Sequence, residues 1–347
     1  MDNRITNDSK ATIKRFLGDY NIKDSKYLKK LYSYLNNNYT KDNVDYKSET
    51  TENINYIHVE NPYISKNILN HIKHLKNRTQ VEFNIRVSVI SLDIYHNEKN
   101  INKFLVEITK YIKYMYDLTN YKKNIKFIYY LTNCKKTVKK QKNHIFTVDE
   151  INSGSSSTNG IITIWRKEEV LKTTLHELIH QMDLDYRSDN IEIINYYKTN
   201  YRCSSDNMNT YEGYTDFWAI IINIFLCSKL LNNPYDFFKE MLNVEIAYTL
   251  YQCQKIIYVC QKNPEWTDYN KHTNIIAYYF IKCSLFLSLN KSLQFFIDNN
   301  HNIFKIKDIN KYFKYLETLP LIKPNNRRFN KSFINSMRMS VCDIELF

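Results

Sequence analysis

The sequence predicts an α+β fold, in which a small sheet feeds one central helix and a mainly helical C-terminal half follows. Three observations predict it. Segments with strand character fall between residues 81 and 165, a helix opens directly after them, and beyond about residue 190 the apolar residues recur at helical spacing. The expected organisation is a helical and extended N-terminal region (1–78), an α/β subdomain (79–190) and a helical subdomain (191–347).

Each element has its own reason. Residues 8–38 carry Ile13, Phe16, Leu17 and Tyr20, then Leu28, Leu31, Tyr32 and Leu35, which is the spacing of two short amphipathic helices. Residues 39–60 are polar and without period, as in a linker or extended arm. A short helix over 65–77 follows Asn61-Pro62. From Val81 to Ile94 apolar residues alternate with polar ones, a strand signal. Ile101, Phe104, Leu105, Ile108, Tyr111, Ile112 and Met115 then predict a helix over 100–120. Strands follow at Ile125 to Leu131 and, after the Ser-rich turn 152–160, at Ile161 to Trp165. Arg166 to Glu169 opens the central helix, with Glu168 and Glu169 in the first turn, where negative charge suits the helix dipole. Helices are expected at 191–200, 212–232, 236–262, 273–290 and 307–317.

Composition narrows the class. Of 347 residues, 43% are hydrophobic and 15% aromatic, enough apolar surface for a packed core rather than a disordered chain. The excess of Asn, Lys, Ile and Tyr over Gly and Pro is what AT-rich codons produce. The formal charge of +13 can attract nucleic acid, but the lysines are spread through every segment. The longest basic runs (Lys135, Lys136, Lys139, Lys140 and Lys142; Arg327 and Arg328) are short, so a solvated basic surface is favoured over a nucleic-acid partner. Seven Cys without a Cys-x-x-Cys pair point to buried free thiols and a reducing compartment. Met1 to Lys14 is polar, and the most apolar stretches, 217–231 and 275–289, are too short to span a bilayer. A soluble intracellular protein is therefore expected.

The chemistry is concentrated in His176-Glu177-x-x-His180. Residues four apart share one face of a helix, so both imidazoles can reach one metal ion. Glu177 sits beside the first histidine, where it can reach a water on that metal as general base without ligating. Val170, Leu171, Leu175, Leu178 and Ile179 would anchor the opposite face. A catalytic zinc takes a third protein ligand. Glu212 and Asp216 stand together on one face of the next long helix, and the favoured division places Glu212 on the metal and Asp216 against the outer nitrogen of His176.

His176-Glu177-x-x-His180 followed by Glu212-x-x-x-Asp216 resembles the gluzincin branch of the zincin metallopeptidases. The likeness covers about residues 81–230 and is specific only in the two motifs. It implies one Zn²⁺ per chain, held by His176, His180 and Glu212, and a peptide or protein substrate. It also implies a zincin-like sheet whose edge strand, here Ile161 to Trp165, pairs with the substrate through Ile161, Thr163 and Trp165. An oxyanion-stabilising Tyr or His from the helical half would be Tyr278 or His272, with Tyr279, Tyr211 and Tyr214 as further candidates. Gly213-Tyr-Thr-Asp216 is similar to the aspzincin motif, in which Asp216 would replace Glu212 on the metal. Asp183 and Tyr186 stand where the metzincin pattern requires Gly and His. The stretch from Asn152 to Glu169 resembles uncharacterised peptidase-like proteins of large DNA viruses. Two alternatives stay open: a basic binding or scaffold protein on an inactive zincin core, and a hydrolase of non-peptide amides.

Overall fold

The computed structural model describes residues 2–54, 57, 59, 61–138, 144–232, 234–260, 267–324 and 333–347. Lys139, Lys140, Lys142, Arg327 and Arg328 of the basic runs lie outside them. The fold is α+β, a mixed sheet followed by a mostly helical half.

Helices α1 (Asn7–Phe16) and α2 (Lys26–Asn37) start where Thr6 and Ser25 accept the backbone N–H of Ser9 and Leu28. The polar arm contributes β1 (Lys47–Thr51), exposed at every residue. Helix α3 (Lys66–Ile72) is shorter than expected, because Asn77 already begins β2 (Asn77–Ile85). The alternation from Val81 to Ile94 is not one strand. It is an antiparallel hairpin of β2 and β3 (Ser88–His96), turned at Arg86, whose φ is +56°. Burial changes phase across that turn: Val81, Phe83 and Ile85 are buried, then Ile90, Leu92 and Ile94, leaving Val87 78% and Val89 40% exposed.

Helix α4 (Asn102–Thr119) and β4 (Ile125–Tyr130) follow, then α5 (Val148–Ile151), β5 (Gly154–Ser156), β6 (Ile161–Ile164) and α6 (Val170–Gln181). The six strands lie in the order β1-β2-β3-β4-β6-β5. Strands β3, β4 and β6 are parallel, and β1, β2 and β5 run antiparallel to their neighbours. This corrects the placing of Ile161 to Trp165 at the edge. Thr163 pairs with Ile128 on one side and Ser155 on the other, so both of its strand's edges are used. Trp165 is buried in a small cluster with Tyr130 and the apolar side of α3. The edge beside α6 is β5.

Glu168 and Glu169 are also displaced from the expected first turn. The helix begins only at Val170, and Glu169 precedes it at φ +58°. Its buried carboxylate meets Lys136 Nζ at 2.6 Å instead of the helix end.

The helical half holds α7 (Ile191–Tyr201), α8 (Thr210–Leu230) and α9 (Tyr235–Cys260). The helix expected over 273–290 is a π-helical segment, Ile276–Ile281, continued by α10 (Lys282–Leu287) and, after a break at Ser288, by α11 (Leu289–Asn299). A two-residue pair of strands, β7 (Asn300–His301) and β8 (Lys305–Ile306), precedes α12 (Ile309–Glu317). One apolar core runs from Ile5 to Leu346 and joins the sheet, α6 and the helices. The last segment threads through it: Met337 and Val341 are buried, Ser340 N–H donates to Glu169, and Val341 N–H donates to Glu245. All seven cysteines are free thiols, and among the described residues no helix is long and apolar enough to cross a membrane.

Candidate metal centre

Helix α6 is buried along nearly its whole length, between the sheet end formed by β5 and β6 and the long helix α8. Its apolar residues Val170, Leu171, Leu175, Leu178 and Ile179 are buried in the core, and the remaining face brings His176, Glu177 and His180 to the floor of a cleft of about 400 Å³. Helix α8 crosses opposite. Asp189 fixes its start by accepting the backbone N–H of Thr210 at 2.9 Å, which sets Glu212 in the first turn over the histidines.

Three atoms converge. His176 Nε2 and His180 Nε2 are 3.1 Å apart, and Glu212 Oε2 lies 3.1 Å from the first and 3.2 Å from the second. Outer partners decide the tautomers. His180 Nδ1 is 2.6 Å from Asp185 Oδ2, and a carboxylate only accepts, so the ring hydrogen sits on Nδ1 and Nε2 presents a lone pair. His176 Nδ1 lies 3.3 Å from Asp216 Oδ1, a longer contact outside hydrogen-bond geometry, where the carboxylate favours a ring hydrogen on Nδ1 through its charge alone. Two lone pairs and a carboxylate oxygen at such separations repel one another unless a cation or proton lies between them. Zinc bonds of about 2.0–2.1 Å in a tetrahedron separate ligand atoms by about 3.3 Å, close to the observed triangle. The donor set therefore fits a divalent metal, and His176, His180 and Glu212 are the residues that can hold it.

Electrostatics agree with that geometry. Burial opposes charge on both imidazoles, yet Asp216 and Glu212 beside His176, and Glu212 and Asp185 beside His180, raise their affinity for a positive charge, most strongly at His180. Burial opposes ionisation of Glu212 too, and the histidines overcome it and keep the carboxylate ionised. Asp216 is held fully buried and ionised by Lys172 and by Lys282, the latter 2.6 Å away. Glu177 differs from these acids. Burial pushes its carboxyl above the usual range, and the neighbouring histidines only partly reverse that.

The other expected site residues divide. Tyr278, on the π-helical segment, donates to Glu212 Oε2 at 3.0 Å. His272 is exposed on the wall of the same cleft, which the half-buried Tyr211 also lines, its ring centroid 6.0 Å from that of His180. Tyr214 turns away into the core, where its hydroxyl donates to the Phe304 carbonyl, and the Tyr279 hydroxyl donates to the Met337 carbonyl at 2.7 Å. Ile161, Thr163 and Trp165 do not line the cleft, because β5 stands between their strand and the opening. Gly154, Ser155 and Ser156 line it instead. Gly154 is required there: a Cβ would sit 2.8 Å from Glu177 Oε1 and from Thr173 Cγ2. Asp185 was not found from the sequence. Its only local signal is an acid five residues after His180, and the reversal that brings it back depends on Asp183 at φ +51°.

No protein-family model matches the chain, and no solved structure matches it at a significant level. It is similar to an uncharacterized protein of Acanthamoeba polyphaga mimivirus, 25% identical over 193 residues that make up 51% of this chain and 47% of the relative. The match thus spans about half the length of that viral protein.

Proposed function

We propose that the chain is a zinc-dependent metallopeptidase of the zincin type, hydrolysing peptide bonds in a peptide or protein substrate. One observation carries the reading: two histidine Nε2 atoms, each ring with a carboxylate behind it, and the Glu212 oxygen meet at 3.1–3.2 Å beside a buried Glu177 in an open cleft. The mimivirus likeness is in keeping with a protein of a large DNA virus.

Zinc at these ligands would supply a Lewis acid that makes water ionisable near neutral pH and polarises the scissile carbonyl. Glu177, with its affinity for protons raised by burial, takes the proton of the attacking water and passes it to the leaving amine. The Tyr278 hydroxyl, already beside Glu212, is placed to donate to the oxygen that gains charge as water adds to the carbonyl. Strand β5 forms the sheet edge, with no further strand beside it among the described residues, along which an extended substrate can lie.

The test is metal analysis of the purified protein beside two variants. About one zinc per chain is expected, lost in His176→Ala and retained in Glu177→Gln, with turnover of peptides abolished in both. Zinc undiminished in His176→Ala would refute the site. Zinc bound but no peptide cleaved by the parent protein would leave the binding-protein reading in its place.

A further inference from the structure

Among the described residues, the cleft has no acidic wall apart from Glu177 and Glu212. Among the described lining residues, the other ionisable side chains besides the histidine ligands and tyrosines are Arg187 and His272. A divalent ion would balance the two glutamates, and Asp185, the ion-pair partner of Arg187, has no exposed surface, which leaves the Arg187 guanidinium as the charged group that an incoming substrate meets.

Arg187 is built into place. Its backbone is left-handed, at φ +44°, in the segment that follows α6. One terminal nitrogen of its guanidinium donates to the carbonyl of His180, and its Nε lies 3.4 Å from Asp185 Oδ1. The other terminal nitrogen, Nη1, has no protein partner among the described residues, and the side chain stays 40% exposed. An anchored guanidinium with a free donor binds an anion with little further loss of conformational entropy. Two asparagines of the same cleft are likewise left as donors. Asn152 Oδ1 accepts from Thr273 at 3.1 Å and Asn274 Oδ1 accepts from Asn209 at 3.0 Å, while the amino group of each has no partner among the described residues.

We infer that this cleft selects substrates carrying a carboxylate close to the scissile bond, with Arg187 as the specificity-determining residue and Asn152 and Asn274 as supporting donors. The inference rests on the peptidase reading of the cleft. The carboxylate can come from an Asp or Glu side chain or from a free chain terminus, and both present the same two oxygens to the guanidinium.

Binding separates this inference from catalysis. Zinc-loaded Glu177→Gln protein is titrated with N-acetylated, C-amidated peptides that differ only by Glu or Gln at one scanned position, and with a Gln peptide ending in a free carboxylate. At one position the Glu peptide is expected to bind about tenfold tighter than its Gln partner, the effect of one charge-assisted hydrogen-bonding pair. That ratio should fall to about two or below when Arg187→Gln is added, and should be partly kept by Arg187→Lys. Zinc content is measured in each protein. If Arg187→Gln releases the metal through its contact with His180, Arg187→Lys and Asn274→Ala decide, each expected to lower the ratio with zinc in place. A tighter complex only with the free-terminus peptide would also support the inference and name the source of the carboxylate. Equal binding of Glu and Gln peptides at every position, no peptide binding at all, or a ratio unchanged in the zinc-loaded Arg187 variants would overturn it. If acidic peptides bind preferentially but the parent protein cleaves none, the peptidase reading fails and the selectivity remains.

Discussion

At the residue scale the site depends on side chains that never touch the metal position. Asp185 sets the tautomer of His180 from 2.6 Å, and its side chain has no exposed surface. Asp185→Asn keeps the shape but removes the charge and lets an amide hydrogen face Nδ1. Zinc affinity is expected to fall about 10–100-fold, read by chelator competition. Unchanged affinity would show that His180 needs no such partner. Gly154 acts through space it leaves empty. In Gly154→Ala the new methyl would meet Glu177 Oε1 at 2.8 Å, so either β5 or the base must shift. The expected result is a fall in kcat of about tenfold or more with zinc content unchanged, since the groups crowded are Glu177, Thr173 and the substrate edge and not the three ligands. His176, Glu177, His180 and Glu212 were legible because helical period alone places the first three on one face. Asp185 and Gly154 were not, since their roles depend on a chain reversal and a strand pairing.

At the element scale the departures have physical causes that can be named. The hairpin of β2 and β3 read as one strand because Val87 and Val89 prolong the alternation through the turn. The adjacent pair Val89-Ile90 marks the phase slip, and it was the available clue. Strand β6 reads as an edge in the sequence because the three-residue strand β5 is polar and Ser-rich, with no apolar period to announce it. The π-helical segment Ile276–Ile281 also escaped, since apolar residues at every position carry no phase. Its packing against α8 is close at Gly213, where a Cβ would lie 2.7 Å from the Ala277 carbonyl oxygen. Gly213→Ala should therefore part the two elements that hold Glu212 and Tyr278. A loss of about 1–3 kcal/mol in unfolding free energy, with a lower Tm, is the expected outcome. A variant as stable as the parent would mean that the contact gives way freely.

At the scale of the whole molecule the C-terminal segment stitches α6, α9 and the N-terminal helix together through buried charges. Glu169 accepts from Ser340, Glu245 from Val341, and Arg338 reaches Ser9 at 3.1 Å. Two of the acids in this network are neutralised easily. Burial lifts Glu245 to about 7 despite Lys282, and lifts Asp343 to about 7 despite Arg338. A carboxyl whose folded pKa exceeds its unfolded value adds stability that is complete below the unfolded pKa and lost as pH rises through the folded one. For Glu245 the window runs from about 4.5 to about 7. The parent protein should thus lose stability relative to Glu245→Gln across that window, by on the order of 3 kcal/mol, measured by denaturant unfolding at several pH values. A constant difference between the two proteins would contradict the buried ionisation.

The amino-acid sequence by itself determined what is local. Helical period placed two imidazoles and a base on one face of α6, alternation located the sheet, and the apolar spacing beyond residue 190 declared a helical half. Tertiary structure alone decided which strand forms the edge, which tyrosine reaches Glu212, and which acid stands behind His180. The physical reason is range. Period and propensity act within a few residues, where backbone geometry dictates direction. The cleft joins groups 36 and 66 residues apart, and their meeting depends on how whole faces bury against one another.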